Sequence, residues 1–103
     1  MKTRPKIVCL CGSTRFKKEF EEVNKQETLK GNIVLSVGLF GHLEGMDMTG
    51  EVKQKLDKLH LAKIALADEV IILNVKGYIG ESTQRELNYA LNAGKEITFL
   101  EEI

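Results

Sequence analysis

The segment from Gly12 to Arg15 combines a glycine, two hydroxyl side chains and a guanidinium directly after an apolar run. Glycine permits close backbone approach to a ligand, Ser13 and Thr14 offer hydroxyl groups, and Arg15 offers a planar fork of donors. A helix starting here would add unpaired backbone amides and the positive end of its dipole. This chemistry suits a phosphate, although a helix-capping Ser13 or Thr14 beside a solvated Arg15 explains the same residues equally well. The segment lacks the glycine spacing and the lysine of a P-loop.

A second candidate is Glu86, near the start of a helix that the pattern predicts over 82–93. The positive end of the helix dipole would keep its carboxylate ionised, as a glycosidic nucleophile must be. The spacing Thr83-x-x-Glu86 is also that of a capping box, in which the glutamate only bonds the backbone. From spacing alone, the capping box is the favoured interpretation.

The histidines and cysteines carry weaker indications. His60 and Asp57 lie one turn apart on the preceding predicted helix, and His60 can act as a general acid or base near neutral pH. A single histidine on a helix is more commonly a partly buried structural residue, and His42, in a glycine-rich stretch, is either a lid residue or a solvated one. Cys9 and Cys11 face one side of a strand, and no further Cys or His group at metal-ligand spacing accompanies them. We expect two small buried side chains in a reducing compartment and no metal site.

Strands and helices alternate along the chain. Apolar runs predict strands over 6–11, 32–37, 69–75 and 96–100. Amphipathic patterns predict helices from Thr14 onward, over 51–67 and over 82–93. The glycine-rich stretch 38–50 is predicted to be a long loop, with Thr49 capping the next helix. The apolar side of that helix is expected to consist of Val52, Leu56, Leu59, Ala62, Ile64 and Leu66.

This alternation predicts an α/β protein, a small flavodoxin-like or Rossmann-like three-layer sandwich. Right-handed crossovers favour a parallel sheet of four strands in the order 2-1-3-4. Ligands of such sheets bind outside the carboxyl ends of the strands, where the order of the strands reverses. The loops expected at that edge are 12–15, 38–49 and 76–83.

Composition narrows the function classes. The 103 residues suit one domain, 1–103, with a small core, so we expect a homodimer. Fifteen Lys and Arg balance fifteen Asp and Glu, which argues against binding a nucleic acid polymer through a basic face. The N-terminus lacks a charged-then-apolar signal, and no apolar run reaches membrane-spanning length. We therefore expect a cytoplasmic protein that does not bind membranes.

Two stretches resemble a known family. The opening VCLCGSTRF is similar to the strand-loop-helix opening of nucleoside 2-deoxyribosyltransferases and deoxynucleoside 5′-monophosphate N-glycosidases. The later stretch ADEVIILNVKGYIGESTQRELNYALNAGKEI resembles their A-D-x-V stretch, the loop after it and their E-[LI]-G-x-A element. The resemblance covers nearly the whole chain in order. It implies an N-glycosidic reaction on a nucleoside or its 5′-monophosphate without a metal or organic cofactor, in a site commonly completed across a homodimer interface.

The resemblance also implies roles for individual residues. The family's catalytic glutamate corresponds to Glu86. The residues expected to bind the phosphate and the rest of the small-molecule substrate are Gly12, Ser13, Thr14, Arg15, Phe16, Gly80, Ser82 and Thr83.

The chain departs from the family pattern at three positions. Asn88 stands where the family usually has glycine, and His60 falls near the position of a family aspartate, with Asp57 one turn earlier. A second family aspartate corresponds to Gly80 or Glu81. Either His60 or Glu81 would then handle protons at the base. The expected function is hydrolysis or deoxyribosyl transfer, and the alternative is a non-catalytic nucleotide-binding or sensing domain.

Overall fold

A computed structural model describes residues 4–38 and 50–102. Within these ranges four strands and three helices alternate. The strands are β1 (Ile7–Cys11), β2 (Ile33–Leu35), β3 (Glu69–Ile72) and β4 (Glu96–Phe99). The helices are α1 (Lys17–Leu29), α2 (Gly50–Leu66) and α3 (Glu81–Asn92). Most of the predicted loop 38–50, including His42 and Thr49, lies outside the described residues.

All four strands are parallel, in the order β2-β1-β3-β4, which confirms the predicted fold class and strand order. The central strand β1 is paired on both sides, so that Cys9 lies opposite Leu35 in β2 and Val70 in β3. Burial on both faces explains why β1 and β3 are almost continuously apolar. The carboxyl ends of β1 and β3 therefore lie side by side, and the loops after them meet there.

Helices cover both faces of the sheet. On one face, which we call the α1 face, the buried residues are Val8, Leu10, Phe20, Val23, Ile71 and Leu73. On the other, the α2–α3 face, they are Cys9, Cys11, Ile64, Ala67, Val70, Ile72, Leu87 and Ala90. Successive residues of β1 alternate between these two interiors because side chains alternate along a strand.

Helix α2 turns only part of its predicted apolar side to the sheet: Ile64 is buried as predicted, but other members of that side are exposed. Its buried residues are His60 and Ile64, whereas Leu59 and Leu66 are 51% and 64% exposed. Val52 and Ala62 are also exposed. The small side chains of the cysteines beneath α2 leave room for an imidazole ring, which therefore takes an inward position that the apolar pattern had given to leucine. No helix within the described ranges is long and apolar enough to cross a membrane.

Candidate functional site

A cavity of about 470 Å³ opens at the carboxyl edge of the sheet. This volume is typical of ligand pockets. Among the described residues, the predicted site residues that line it are Gly12, Ser13, Thr14, Arg15, His60, Gly80, Glu81, Ser82, Thr83 and Glu86. Phe16 is the predicted residue that does not line the cavity. The loops 12–15 and 76–83 thus meet at one site, whereas the loop 38–49 lies outside the described residues except for Gly38.

The first loop, 12–15, leads into a short 3-10 turn before α1 begins. A 3-10 turn over Thr14–Phe16 precedes α1, and the Ser13 hydroxyl accepts a hydrogen bond from the Arg15 amide at 3.3 Å. The Phe16 amide donates to the Ser13 carbonyl at 3.0 Å. Ser13 therefore does have the capping role that the sequence left open. The amides of Arg15 and Phe16 are thus already bonded within the turn, so these two are not free to bind an anion.

Gly12 is required by packing as well as by any ligand. A Cβ atom on Gly12 would lie 3.0 Å from the Leu73 Cβ and 3.3 Å from the Leu73 carbonyl oxygen. A larger residue would push the loop away from the chain that follows β3. The close approach that the sequence predicted for a phosphate is thus already made by Leu73.

Arg15 is held at the rim of the cavity by Tyr78. The guanidinium carbon lies 4.9 Å from the centre of the Tyr78 ring, and the ring of Phe16 meets Tyr78 edge-on at 6.0 Å between centroids. Stacking of this kind leaves the guanidinium N–H groups available to an anion. Within residues 4–38 and 50–102 no carboxylate pairs with Arg15. Phe16 thus supports Tyr78, a cavity residue that the sequence analysis did not identify.

Glu86 does not belong to a capping box. Helix α3 begins at Glu81 with Gly80 as its N-cap, and no side chain caps it. Thr83 is consequently the third helical residue and is buried, so the interpretation favoured by spacing is wrong. Glu86 lies in the second turn, beyond the stretch in which a helix dipole strongly favours negative charge. It is instead among the cavity-lining residues.

The Glu86 carboxylate faces His60. Its Oε1 atom is 3.9 Å from His60 Nε2, and the two side chains are 16% and 7% exposed. Burial raises the pKa of Glu86, and the charge of His60 opposes this shift. Burial lowers the pKa of His60, but a hydrogen bond with Cys9 and the charge of Glu86 outweigh burial and raise it. Two proton-exchanging groups therefore adjoin each other at the cavity wall.

Both cysteines contact the same histidine nitrogen. Cys11 Sγ is 3.3 Å from His60 Nε2, and Cys9 Sγ is 3.9 Å from it. A hydrogen bond from Cys11 lowers the pKa of the Cys9 thiol to about 6, and the same bond raises the pKa of Cys11. The two sulfur atoms and a histidine nitrogen lie within 4.8 Å of one another, so this group can hold a metal ion. The cysteines are buried as expected, and their histidine neighbour comes from 49 residues along the chain, which sequence spacing did not indicate.

Helix α2 supplies cations to the cavity that the sequence analysis missed. Lys53 Nζ donates to Asp57 at 2.9 Å and to the Ser82 hydroxyl at 3.5 Å. Lys63 Nζ donates to the Ser36 carbonyl at 2.7 Å. The spacing of these lysines from His60 is that of one helix face, so the signal was present in the sequence.

Glu81 and His60 are the two residues that the sequence analysis offered as alternative proton carriers, and they differ in exposure and in their neighbours. The Glu81 side chain is 92% exposed and lies 3.7 Å from Arg85, one helical turn along α3. His60 is buried against Glu86. Of the two, His60 is the one that lies close enough to Glu86 to act with it on the same substrate.

Sequence comparisons add no family to this description. No protein-family model matches the chain, and a search of curated proteins finds no match.

Proposed function

We propose that the protein cleaves or transfers at the N-glycosidic bond of a (deoxy)nucleoside or its 5′-monophosphate, as the resemblance to nucleoside 2-deoxyribosyltransferases implies. The observation that carries this proposal is the convergence of two chemistries in one cavity. Glu86 and His60 supply a carboxylate beside a proton carrier, and the first loop supplies hydroxyls and Arg15. The reaction needs the carboxylate and the proton carrier, and the binding of a phosphate needs the hydroxyls and the guanidinium.

In the proposed reaction the Glu86 carboxylate attacks the anomeric carbon of the sugar. The carbon–nitrogen bond breaks, its electron pair leaves with the base, and His60 gives a proton to a nitrogen of that base. The resulting ester between the sugar and Glu86 is then attacked by water, or by a second base in a transfer reaction. His60 takes up the proton released in that second step, so the protein returns to its initial state.

A 5′-phosphate would be held at the other end of the cavity. Arg15 presents a guanidinium whose ring-stacked plane leaves its donors free for bidentate contact. Ser13 and Thr14 line the same region, and Lys53 and Lys63 add positive charge along α2. These groups favour the monophosphate over the uncharged nucleoside.

The direct test incubates wild-type protein with a panel of nucleoside and deoxynucleoside 5′-monophosphates and measures free base by chromatography. We expect catalytic release from at least one monophosphate, and slower release from the matching nucleoside. Release of no base from any nucleotide that raises the melting temperature would contradict the proposed reaction.

That contrary result would favour the second candidate, a non-catalytic nucleotide-binding or sensing domain. One observation supports it. Asp57 is the carboxylate nearest the position at which His60 stands in place of a family aspartate, and Lys53 already engages it at 2.9 Å. A sensing domain would bind nucleotide without turnover.

We further propose that the protein is a cytoplasmic homodimer. Val52 and Leu59 are 44% and 51% exposed on α2, and Leu59 also lines the cavity, so a second subunit would complete the site wall. Two unpaired cysteines suit a reducing compartment. Light scattering should give twice the chain mass at micromolar concentration, and monomer mass at high micromolar concentration would contradict the dimer.

A further inference from the structure

We propose that Cys9, Cys11, His60 and Glu86 form a binding site for Zn²⁺ on the α2–α3 face of the sheet. This proposal goes beyond the proposed function, which uses neither cysteine. It rests on the way β1 and α2 bring three donor atoms together, with a carboxylate from α3 beside them. The chain positions of these residues give no local motif, since His60 is separated from Cys11 by 49 residues.

The distances fit tetrahedral coordination. Zinc binds sulfur at about 2.3 Å and imidazole nitrogen at about 2.0–2.1 Å, so two ligands at a tetrahedral angle lie about 3.5–3.8 Å apart. His60 Nε2 lies 3.3 Å from Cys11 Sγ and 3.9 Å from Cys9 Sγ, which brackets that range. Glu86 Oε1 lies 3.9 Å from the same nitrogen but outside the group of donor atoms that are within 4.8 Å of one another, so its carboxylate would have to turn toward the sulfur atoms to become the fourth ligand. Small side-chain adjustments would therefore admit the ion.

The donor set selects the metal. Two thiolates and one imidazole suit zinc, whereas magnesium and calcium prefer oxygen ligands alone. The cysteines would bind as thiolates and release their protons, and two thiolates balance the charge of Zn²⁺. Lys63 lies near enough to act electrostatically on Cys9, which offsets the added carboxylate.

Rigid elements hold the ligands. The cysteines lie on β1, which is paired with a strand on each side. His60 is in the middle of α2, and Glu86 is in the second turn of α3. Ligands fixed in this way need little ordering when the ion binds. His60 and Glu86 also line the cavity, so an ion can enter from there.

If the proposed function is also correct, zinc would control it. A Glu86 oxygen bound to zinc cannot attack a sugar carbon, so metal-bound protein would be inactive and removal of the metal would restore activity. This consequence rests on the proposed function, but the binding of zinc does not.

The binding test uses the full chain, reduced and treated with a chelator, then titrated with Co²⁺ under anaerobic conditions. We expect one Co²⁺ per chain, with the intense absorption of thiolate-to-cobalt charge transfer and the visible bands of tetrahedral cobalt. Zn²⁺ should displace the colour at a one-to-one ratio, and a large excess of Mg²⁺ should not. Cobalt binding without a thiolate band, or no saturable binding, would overturn the proposal.

Ligand variants sharpen this test. Cys11→Ser and His60→Gln should each weaken zinc binding by more than about a hundredfold, since even changes outside the ligand shell commonly cost 10–100-fold. Glu86→Gln should alter the visible bands of cobalt while keeping the charge-transfer band. Asp57→Asn is the matched control, because Asp57 lines the same cavity but pairs with Lys53. Circular dichroism identifies any variant that fails to fold. The cobalt spectrum of the wild-type protein tests the zinc site even if a variant does not fold.

The two proposals fail in different ways. A thiolate–cobalt spectrum in a protein that releases no base would support the zinc site and contradict the glycosidic reaction. Base release by chelated protein with no metal binding would do the opposite. If both occur, stoichiometric zinc should abolish release and chelator should restore it. Undiminished release by zinc-saturated protein would overturn Glu86 as a ligand.

Discussion

Glu27 on α1 and Glu86 on α3 are both glutamates with little exposed surface, at 10% and 16% of their side chains. Glu27 accepts hydrogen bonds from Lys30 at 2.9 Å and from Asn32 at 3.0 Å. The bond from Lys30 leads the causes that lower its pKa. Glu86 has His60 at 3.9 Å, and burial raises its pKa.

The same contrast extends to the two faces of the sheet. The buried apolar residues of the α1 face form one cluster, and the two buried carboxylates on this side are both paired, Glu27 with Lys30 and Glu69 with Lys6. The α2–α3 face holds two thiols and an imidazole among its apolar residues, and this polar group continues into the cavity. A group that is paired by its neighbours stabilises the fold, whereas one that is buried with weak pairing is available for chemistry. We therefore expect loss of the paired Glu27 to affect stability, and changes to Cys9, Cys11, His60 or Glu86 to affect ligand chemistry.

The largest effect is expected from Phe20→Ala on α1. Phe20 is 2% exposed and packs against the sheet, so its removal should lower the free energy of unfolding by about 3–5 kcal/mol. Denaturant unfolding measures this loss. Leu29→Ala is the control on the same helix, because Leu29 is 78% exposed and should change stability by less than about 0.5 kcal/mol. Similar losses in the two variants would contradict the assignment of the α1 face.

Arg15→Ala should act on binding instead. Loss of a charge-assisted contact of about 1.5–3 kcal/mol should weaken monophosphate binding tenfold or more, with little change in unfolding. Affinity for the uncharged nucleoside should stay the same, as calorimetry can show. Lys18→Ala, an exposed cation three residues further on, is the control. If wild-type protein bound the nucleoside and its monophosphate with equal affinity, the assignment of a phosphate-binding site to Arg15 would be wrong.

Glu27→Gln tests the paired carboxylate through pH. Because the folded protein lowers the pKa of Glu27, its ionised form stabilises the fold at neutral pH, and that contribution is lost as the pH falls below about 5. The variant should be about 1–2 kcal/mol less stable at pH 7, and the difference should shrink in acid. Unfolding curves at several pH values measure this. If the stability difference between the wild type and the variant grew in acid, the lowered pKa of Glu27 would be contradicted.

Much of the fold could be predicted because local pattern and global topology agree. The apolar run that ends at Gly12 and the alternation of strands and helices led to the observed sheet order. Three loops at the carboxyl edge were predicted to meet, and the two that the structure describes, 12–15 and 76–83, line one cavity. Spacing misjudged Thr83, because the helix begins at Glu81 without a side-chain cap and the capping box cannot form.

The contact of His60 with Cys9 and Cys11 on the α2–α3 face could not be predicted from the sequence, for a physical reason. It depends on the rotation of α2 about its axis, which apolar spacing predicted only in part, since Ile64 is buried as predicted and Leu59 is not. Leu59 is half-exposed while His60 is inward, so the histidine reaches Cys9 and Cys11. Local spacing carries no information on a contact between a strand and a helix so far along the chain.

The most direct measurement compares base release by Glu86→Gln and Glu27→Gln with that of the wild type, with chelator present and all three proteins folded. Both variants replace a carboxylate by an amide at a site of low exposure. An amide cannot serve as a glycosidic nucleophile, so Glu86→Gln should release no free base from a nucleotide that it still binds. Glu27→Gln should release base at the wild-type rate. Release by Glu86→Gln as fast as by wild type would contradict the role of Glu86.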